Sequence, residues 1–133
     1  MLVQEVAKPR VVQFALFIDQ AFIPEVLWKE PVTARIPYAF VTVHAALYPD
    51  DILRVTIGPS GAEWFDQTFT EADISRPGLY AVAPTGDYAE IYRGEDWRLS
   101  AVYTLGGAEA AFSSVMIGFV IIPIGMYVAG APS

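Results

Sequence analysis

The fold is decided by residues 38–59, which read YAFVTVHAALYPDDILRVTIGP. From Tyr38 to Tyr48 two sets of residues alternate, which is the period-two pattern of a β-strand. Pro49-Asp50-Asp51 then predicts a turn, because proline fixes φ and aspartate hydrogen-bonds its own backbone. From Ile52 to Ile57 apolar residues occupy one face and polar residues the other, which predicts a second, half-buried strand.

The rest of the chain repeats this pattern of short β-branched and aromatic runs separated by Pro, Gly and Asp. The further runs are Val11–Ile18, Phe22–Trp28, Glu63–Phe69, Gly78–Val82, Tyr88–Tyr92 and Arg98–Thr104. Pro24 interrupts one of them, and Pro31 and Pro37 are expected to break the chain before the long run. A spacing of about ten residues indicates an all-β domain, a single antiparallel β-sandwich or barrel. We expect the domain to span residues 11–133, preceded by an N-terminal arm at residues 1–10.

The C-terminal segment from Ala110 to Ser133 carries no charge. Ser113–Ile122 is rich in β-branched residues, so we expect a strand that is apolar on both faces and buried in the core or at a subunit interface. The candidate interface residues are Ile117, Phe119, Ile121, Ile124 and Tyr127. A membrane-associated segment is the alternative, because long uncharged apolar runs can span bilayers, although Gly118, Pro123 and Gly125 interrupt this one.

Composition favours a protein that assembles. Apolar residues make up 54% of the chain and charged residues only 17%, so few charges are available to cover a monomer's surface. A net charge of −7, with the basic residues scattered, argues against nucleic-acid binding. The sequence therefore predicts a homo-oligomer.

No catalytic set is recognisable, and we expect neither an enzyme nor a bound cofactor. His44 is the only histidine and there is no cysteine, so a nucleophile–base pair or a zinc–thiolate site has no basis. Asp50, Asp51, Asp87, Glu90, Glu95 and Asp96 do not follow a calcium-loop pattern. These acids are expected to solvate turns and to face Arg93 and Arg98, and no metal site is predicted. Glu63 with Asp66, or Glu90 with Glu95, has no spacing that marks a glycosidase.

Trp28, Trp64 and Trp97 lie beside turns of the predicted strands. Exposed tryptophans stack on sugars, so a carbohydrate- or ligand-binding module is the alternative function, with these three as stacking residues. Aromatic side chains at strand ends also plug a core or anchor an interface, and that interpretation is preferred here.

Three segments carry a resemblance to a known class of proteins. They are Arg35–Tyr38 with the long strand after it, Asp50–Pro59, and Glu95–Gly107, which reads EDWRLSAVYTLGG. With these segments the chain resembles the small single jelly-roll capsid, vertex or decoration proteins of bacterial viruses. The resemblance implies a structural virion protein with about eight strands, partnered by itself and by other virion proteins, and with no active site.

The content of amide residues bears on the source of the protein. Asparagine is absent and glutamine occurs only at positions 4, 13, 20 and 67, as in proteins of thermophiles, although GC-rich coding has the same effect. Both suit a virus of a GC-rich, thermophilic host.

Overall fold

A computed structural model describes residues 9–18, 25–29, 33–59, 62–86, 89–91 and 95–123. These residues form nine β-strands and contain no helix, which confirms the all-β prediction. The strands are β1 (Arg10–Phe17), β2 (Glu25–Lys29), β3 (Ala34–Val43), β4 (Ile52–Pro59), β5 (Phe65–Phe69), β6 (Gly78–Val82), β7 (Ala89–Ile91), β8 (Asp96–Thr104) and β9 (Ser114–Pro123).

The strands form two antiparallel sheets that pack as a sandwich. The first sheet has the order β1-β9-β3-β6, with the short β7 also paired to β3, and the second has the order β2-β8-β4-β5. Consecutive strands alternate between the sheets at the start of the chain, and the last strand returns to lie beside the first. Eight strands in these two orders make two Greek keys folded into a jelly roll.

The core lies between the sheets and is built mainly from alternate residues of the strands. On β8 the inward residues Trp97, Leu99, Ala101 and Tyr103 are buried, and on β9 so is an equivalent alternating set. Trp97 crosses from one sheet to the other, with its ring centroid 5.7 Å from that of Phe119. Alternation therefore leaves each sheet one outward face, whose chemistry is not fixed by the core.

The structure corrects some strand boundaries. Pro37 does not break the chain: β3 runs from Ala34 to Val43, and its register with β9 shifts between Arg35 and Tyr38. A bulge accommodates the proline, since an interrupted ladder needs no N–H there. The strand ends at Val43, so His44 lies just beyond it. Residues 1–8 of the expected arm lie outside the described residues, and Arg10 already belongs to β1.

Candidate interaction surface

β9 is apolar on both faces, as expected, but only one of these faces lies in the core. Ile117, Phe119 and Ile121 point inward and are 0% exposed, so the core already covers these three candidate interface residues. The other two candidates, Ile124 and Tyr127, lie outside the described residues. The residues of β9 that can meet another molecule are the ones between them, such as Met116, Val120 and Ile122, which are partly exposed. Successive side chains of a strand point to opposite faces, which is why the candidates and the available surface differ by one residue.

Strand pairing places these outward residues in rows across the first sheet. Val120 lies opposite Val11 on β1 and Tyr38 on β3, and Met116 lies opposite Ala15 and Thr42. We call the outward side of this sheet the apolar face. Its members are Val11, Ala15, Phe17, Tyr38, Phe40, Leu79, Ala81, Met116, Val120 and Ile122, with the uncharged Gln13, Thr42, Ser114 and Gly118 between them.

A glycine allows the middle of the apolar face to be flat. A Cβ atom on Gly118 would lie 2.7 Å from Cζ of Phe40 and 2.7 Å from the carbonyl oxygen of Val12. The ring of Phe40 therefore lies over the glycine and is buried although it points outward. Tyr38 stacks beside it, with ring centroids 6.0 Å apart. An aromatic that covers a strand glycine restores the packing that the missing side chain would have provided.

Charge is almost absent from the apolar face. Among its described side chains, Arg35 carries the one charge, near the end of the sheet where β3 pairs with β7. Large apolar side chains are well exposed here, with Phe17 at 72%, Val11 at 55% and Leu79 at 54%. Exposed apolar side chains that lie singly need no explanation, but a continuous row of them across several strands marks an interaction site.

The outward face of the second sheet has the opposite chemistry. Three ion pairs of the described residues cross neighbouring strands there, and Thr56 and Ser100 share a hydrogen bond of 2.7 Å. The pairs are Lys29–Asp96 at 3.4 Å, Arg98–Glu25 at 3.2 Å and Arg54–Asp66, which is joined by two bonds of 3.0 and 2.7 Å. Hydrogen bonding and the charge of Asp66 raise the pKa of Arg54. Leu27, Ile52 and Val102 are exposed on this face but stand among the charges. We call it the ion-pair face.

The tryptophans do not form a stacking platform. Trp97 is 0% exposed inside the sandwich, which removes it as a sugar-stacking residue. Trp28 is partly buried against Phe14, with ring centroids 5.6 Å apart, and Trp64 packs partly buried against the core. All three side chains pack in or against the core.

Asp51 is the polar residue that sequence reasoning missed. It was expected to solvate a turn, but it is 1% exposed and accepts hydrogen bonds from the Tyr103 hydroxyl and, at 2.7 Å, from the backbone N–H of Gly106. The Tyr103 hydroxyl in turn accepts one from Ala111 N–H at 2.8 Å. A Cβ atom on Gly106 would lie 2.5 Å from the backbone of Asp50, so this close approach needs glycine. The network ties residues 105–111 to the start of β4.

The remaining candidate residues are dispersed. His44 is exposed, and its ring centroid lies 5.9 Å from that of Phe112. Asp96 pairs with Lys29, and Arg98 pairs with Glu25. No cluster of three metal-ligating side chains occurs among the described residues. Within the same residues, no helix is long and apolar enough to cross a membrane.

Comparison with known proteins finds similar solved structures but no family. No protein-family model and no curated protein sequence matches the chain. It is similar to the solved VP2 subviral particle of infectious bursal disease virus, at 16% identity over 92% of this chain and 35% of that chain, with a TM-score of 0.40. A structure of the Gt strain of the same virus gives 14% identity, 95% and 34% coverage and a TM-score of 0.44. A CocE/NonD family hydrolase from Staphylococcus aureus gives 10% identity, 89% and 33% coverage and a TM-score of 0.39.

The chain therefore spans about a third of the length of these structures. A viral particle protein and a hydrolase stand at the same level of similarity, so the similarity carries no argument about function.

Proposed function

We propose that the chain is a structural protein of a virion, whose copies assemble by burying the apolar face of the first sheet. The observation that carries the proposal is the chemistry of that face: neighbouring outward residues on β1, β9, β3 and β6 are apolar, with one charge among the described side chains. Burial of such a surface is favourable because apolar area leaves water.

The apolar face is large enough for a specific contact. Four strands about 4.8 Å apart and about 25 Å long cover roughly 500 Å² before side-chain relief is counted. Two copies that share this face bury roughly 1,000 Å², which is the size at which interfaces become specific. A second copy fits the chemistry, because an apolar face meets its own kind and the one described charge, on Arg35, lies near the end of the sheet.

The ion-pair face supports the same orientation. Its charges already neutralise one another across the strands, so it remains compatible with water when the apolar face is covered. A shell subunit needs one such solvent-adapted surface and one that joins its neighbours. Jelly rolls build viral shells as well as lectins, so the architecture agrees with the proposal only by analogy. The chemistry of the apolar face is what supports the proposal.

The role as capsid, vertex or decoration protein of a bacterial virus, with other virion proteins as partners, belongs to the same proposal. It would place the chain in the virion, and the net charge of −7 would keep it away from the packaged nucleic acid.

The test is the native mass in detergent-free buffer, measured by light scattering and sedimentation, together with electron microscopy of the same sample. We expect a defined oligomer or a closed particle. A monodisperse monomer at high concentration and physiological salt contradicts the proposal. A chain that stays in solution only with detergent supports the membrane alternative instead.

A further inference from the structure

Among the strands that the structure describes, β1 is an edge strand that pairs along one side. Its residues Arg10–Phe17 pair with Ile121–Ser114 of β9, and among the described residues no strand lies on its other side. An unpaired edge presents a row of backbone donors and acceptors, which makes it a template for pairing with another chain.

The pairing with β9 fixes which groups of β1 point to the open side. Ile18 N–H donates to Ser113 C=O at 2.8 Å, and these two residues continue the β1–β9 register. In an antiparallel ladder every second pair is hydrogen-bonded, so Leu16, Phe14 and Val12 bond to β9. The residues between them direct their N–H and C=O groups away from β9. These residues are Val11, Gln13, Ala15 and Phe17.

The same four residues carry side chains of the apolar face. On β1, therefore, the residues whose backbone groups face the open edge are also those whose side chains lie on the apolar face. A strand added at this edge would extend both the hydrogen-bond ladder and the apolar face.

The sheet edges formed by β2, β5 and β6 carry protections that β1 lacks. On the edge of the second sheet, β2 is short and is flanked by the exposed charges of Glu25 and Lys29. On the opposite side of the sandwich, β5 and β6 are joined: Asp66 N–H donates to Ala83 C=O at 2.9 Å and Thr85 N–H to Trp64 C=O at 2.8 Å. β1 is eight residues long and has neither charge nor proline from Val11 to Phe17. Charged residues, prolines and short length are what keep edges from pairing, so the β1 edge is built to pair.

We propose that β1 pairs antiparallel with β1 of a second copy, with Gln13 opposite Ala15 and Val11 opposite Phe17. In this register all four residues whose backbone groups face the open edge become hydrogen-bonded partners. A shift of two residues in either direction leaves one of them unpaired on each strand. It also covers Phe17, 72% exposed, with Val11, 55% exposed, and aromatic–β-branched pairs are favourable across strands. The partner is a second copy because these four residues pair with the same four residues of another β1 when Phe14 lies opposite Phe14.

The consequence is one continuous sheet that runs through both copies, with the two apolar faces side by side on the same surface. This contact is made by the strand edge, so it does not depend on burial of the apolar face. It deepens the proposed assembly by naming a second, separate contact.

The test uses the absence of cysteine from the chain, which makes any introduced thiol unique. Q13C and A15C chains, carrying different affinity tags, are co-expressed and oxidised. Opposite residues of a hydrogen-bonded pair have Cα atoms about 5.5 Å apart, which a disulfide can span. A short thiol-to-thiol cross-linker gives a second readout that tolerates imperfect disulfide geometry.

We expect at least tenfold more covalent dimer from the mixture than from either variant alone. L27C, on the exposed surface of β2, is the matched control and should give no dimer with either variant. Circular dichroism and melting temperature should match the parent, because all three positions are on the surface.

A dimer from Q13C alone overturns the register, since it places Gln13 opposite itself. No dimer from any combination overturns the edge pairing, because an edge that another segment already occupies is not open to a second copy. In that case a defined oligomeric mass, sensitive to charge on the apolar face, still supports the proposed function, so the two failures are distinguishable.

Discussion

The two outward faces of this sandwich differ more than its two sheets do. Both sheets are antiparallel, both contribute alternate residues to one core, and both have an outward face that the core does not constrain. Among the described side chains, the outward face of the second sheet carries six charges arranged as three pairs, whereas that of the first carries one. Folding does not require this difference. Under the proposed function, the difference reflects what each face meets, water on one side and a second copy on the other.

Within the first sheet, the central strand β9 shows the same contrast on a smaller scale. Its inward residues are buried, and its outward residues Met116, Val120 and Ile122 are equally apolar but only partly covered. In β8, the central strand of the second sheet that pairs with both β2 and β4, the outward positions hold Asp96, Arg98, Ser100 and Thr104 beside a single Val102. An apolar face on a strand is thus explained by the fold only when that face points inward.

The largest effect is expected where an inward residue of β9 becomes charged. I117D places a carboxylate at a position that is 0% exposed, with no partner to offset its desolvation. We expect the free energy of unfolding to fall by about 4 kcal/mol or more, with loss of soluble protein. The measurement is the soluble fraction and thermal melting.

M116D, one residue away on the outward face, is the control: we expect it to weaken assembly, because Met116 belongs to the apolar face, but to leave the dissociated chain soluble and folded. A soluble I117D protein with the parent's melting temperature would contradict the inward assignment of this residue.

The next largest effect is expected when one charge is added to each outward face, because only the apolar face should lose assembly. L79E, on the apolar face, is expected to weaken assembly at least tenfold, which corresponds to about 1.4 kcal/mol, because the carboxylate loses water without gaining a partner. L27E, on the ion-pair face, should leave the native mass unchanged although Leu27 is the more exposed leucine, at 63% against 54%. Sedimentation over a dilution series measures both. Equal effects of the two substitutions would break the comparison between the faces.

A smaller effect is expected from the one buried carboxylate of the described region. Y103F removes a hydrogen-bond donor from Asp51, and we expect a loss of about 1 to 3 kcal/mol in the free energy of unfolding. Denaturant titration near pH 7 measures it. L99M, a volume-conserving change on the same strand, is the control and should cost less than about 1.5 kcal/mol.

The same tyrosine predicts how stability depends on high pH. Burial, together with Asp51, raises the pKa of Tyr103 from 10.0 to about 12. The unfolded chain then releases the proton first, so the contribution of Tyr103 is complete below pH 10 and is lost as the pH rises towards 12. Unfolding midpoints measured from pH 8 to pH 12 should fall less steeply in Y103F than in the parent. Identical slopes would show that Tyr103 titrates normally.

The smallest effect belongs to the ion-pair face. D66N removes the charge that pairs with Arg54, and since the Arg54 side chain is 55% exposed we expect less than about 1 kcal/mol. High salt should reduce even this difference, whereas it should not dissociate an assembly held by apolar surface. A loss of several kcal/mol in D66N would mean that the ion-pair face supports the fold and is not merely adapted to solvent.

Local patterns in the sequence predicted the strands and turns well. The alternation after Asp51 predicted β4, the Pro-Asp-Asp turn forms with Asp51 N–H bonded to Tyr48 C=O, and the apolar run Ser113–Ile122 corresponds to β9. These features depend on neighbours in sequence. The bulge that carries β3 past Pro37 was not predictable in this way, because it depends on the strand that pairs with it.

The candidate surface was harder to predict than the fold. An apolar run such as that of β9 does not reveal which residue parity faces the core, so Ile117, Phe119 and Ile121 were chosen for an interface that the intervening residues can provide. The burial of Asp51 was also hidden, since its partners Tyr103 and Gly106 are more than fifty residues away.

The sequence by itself determined the all-β class, the approximate strands and the surplus of apolar surface over charge, because periodicity and composition are properties of the chain alone. Only the tertiary structure decided how that surplus is distributed. Strand order and register collected the outward apolar residues of β1, β9, β3 and β6 on one face, and gathered the charges in pairs on the other. The physical reason is that cross-strand neighbours are set by hydrogen-bond pairing between distant segments, which no local pattern encodes.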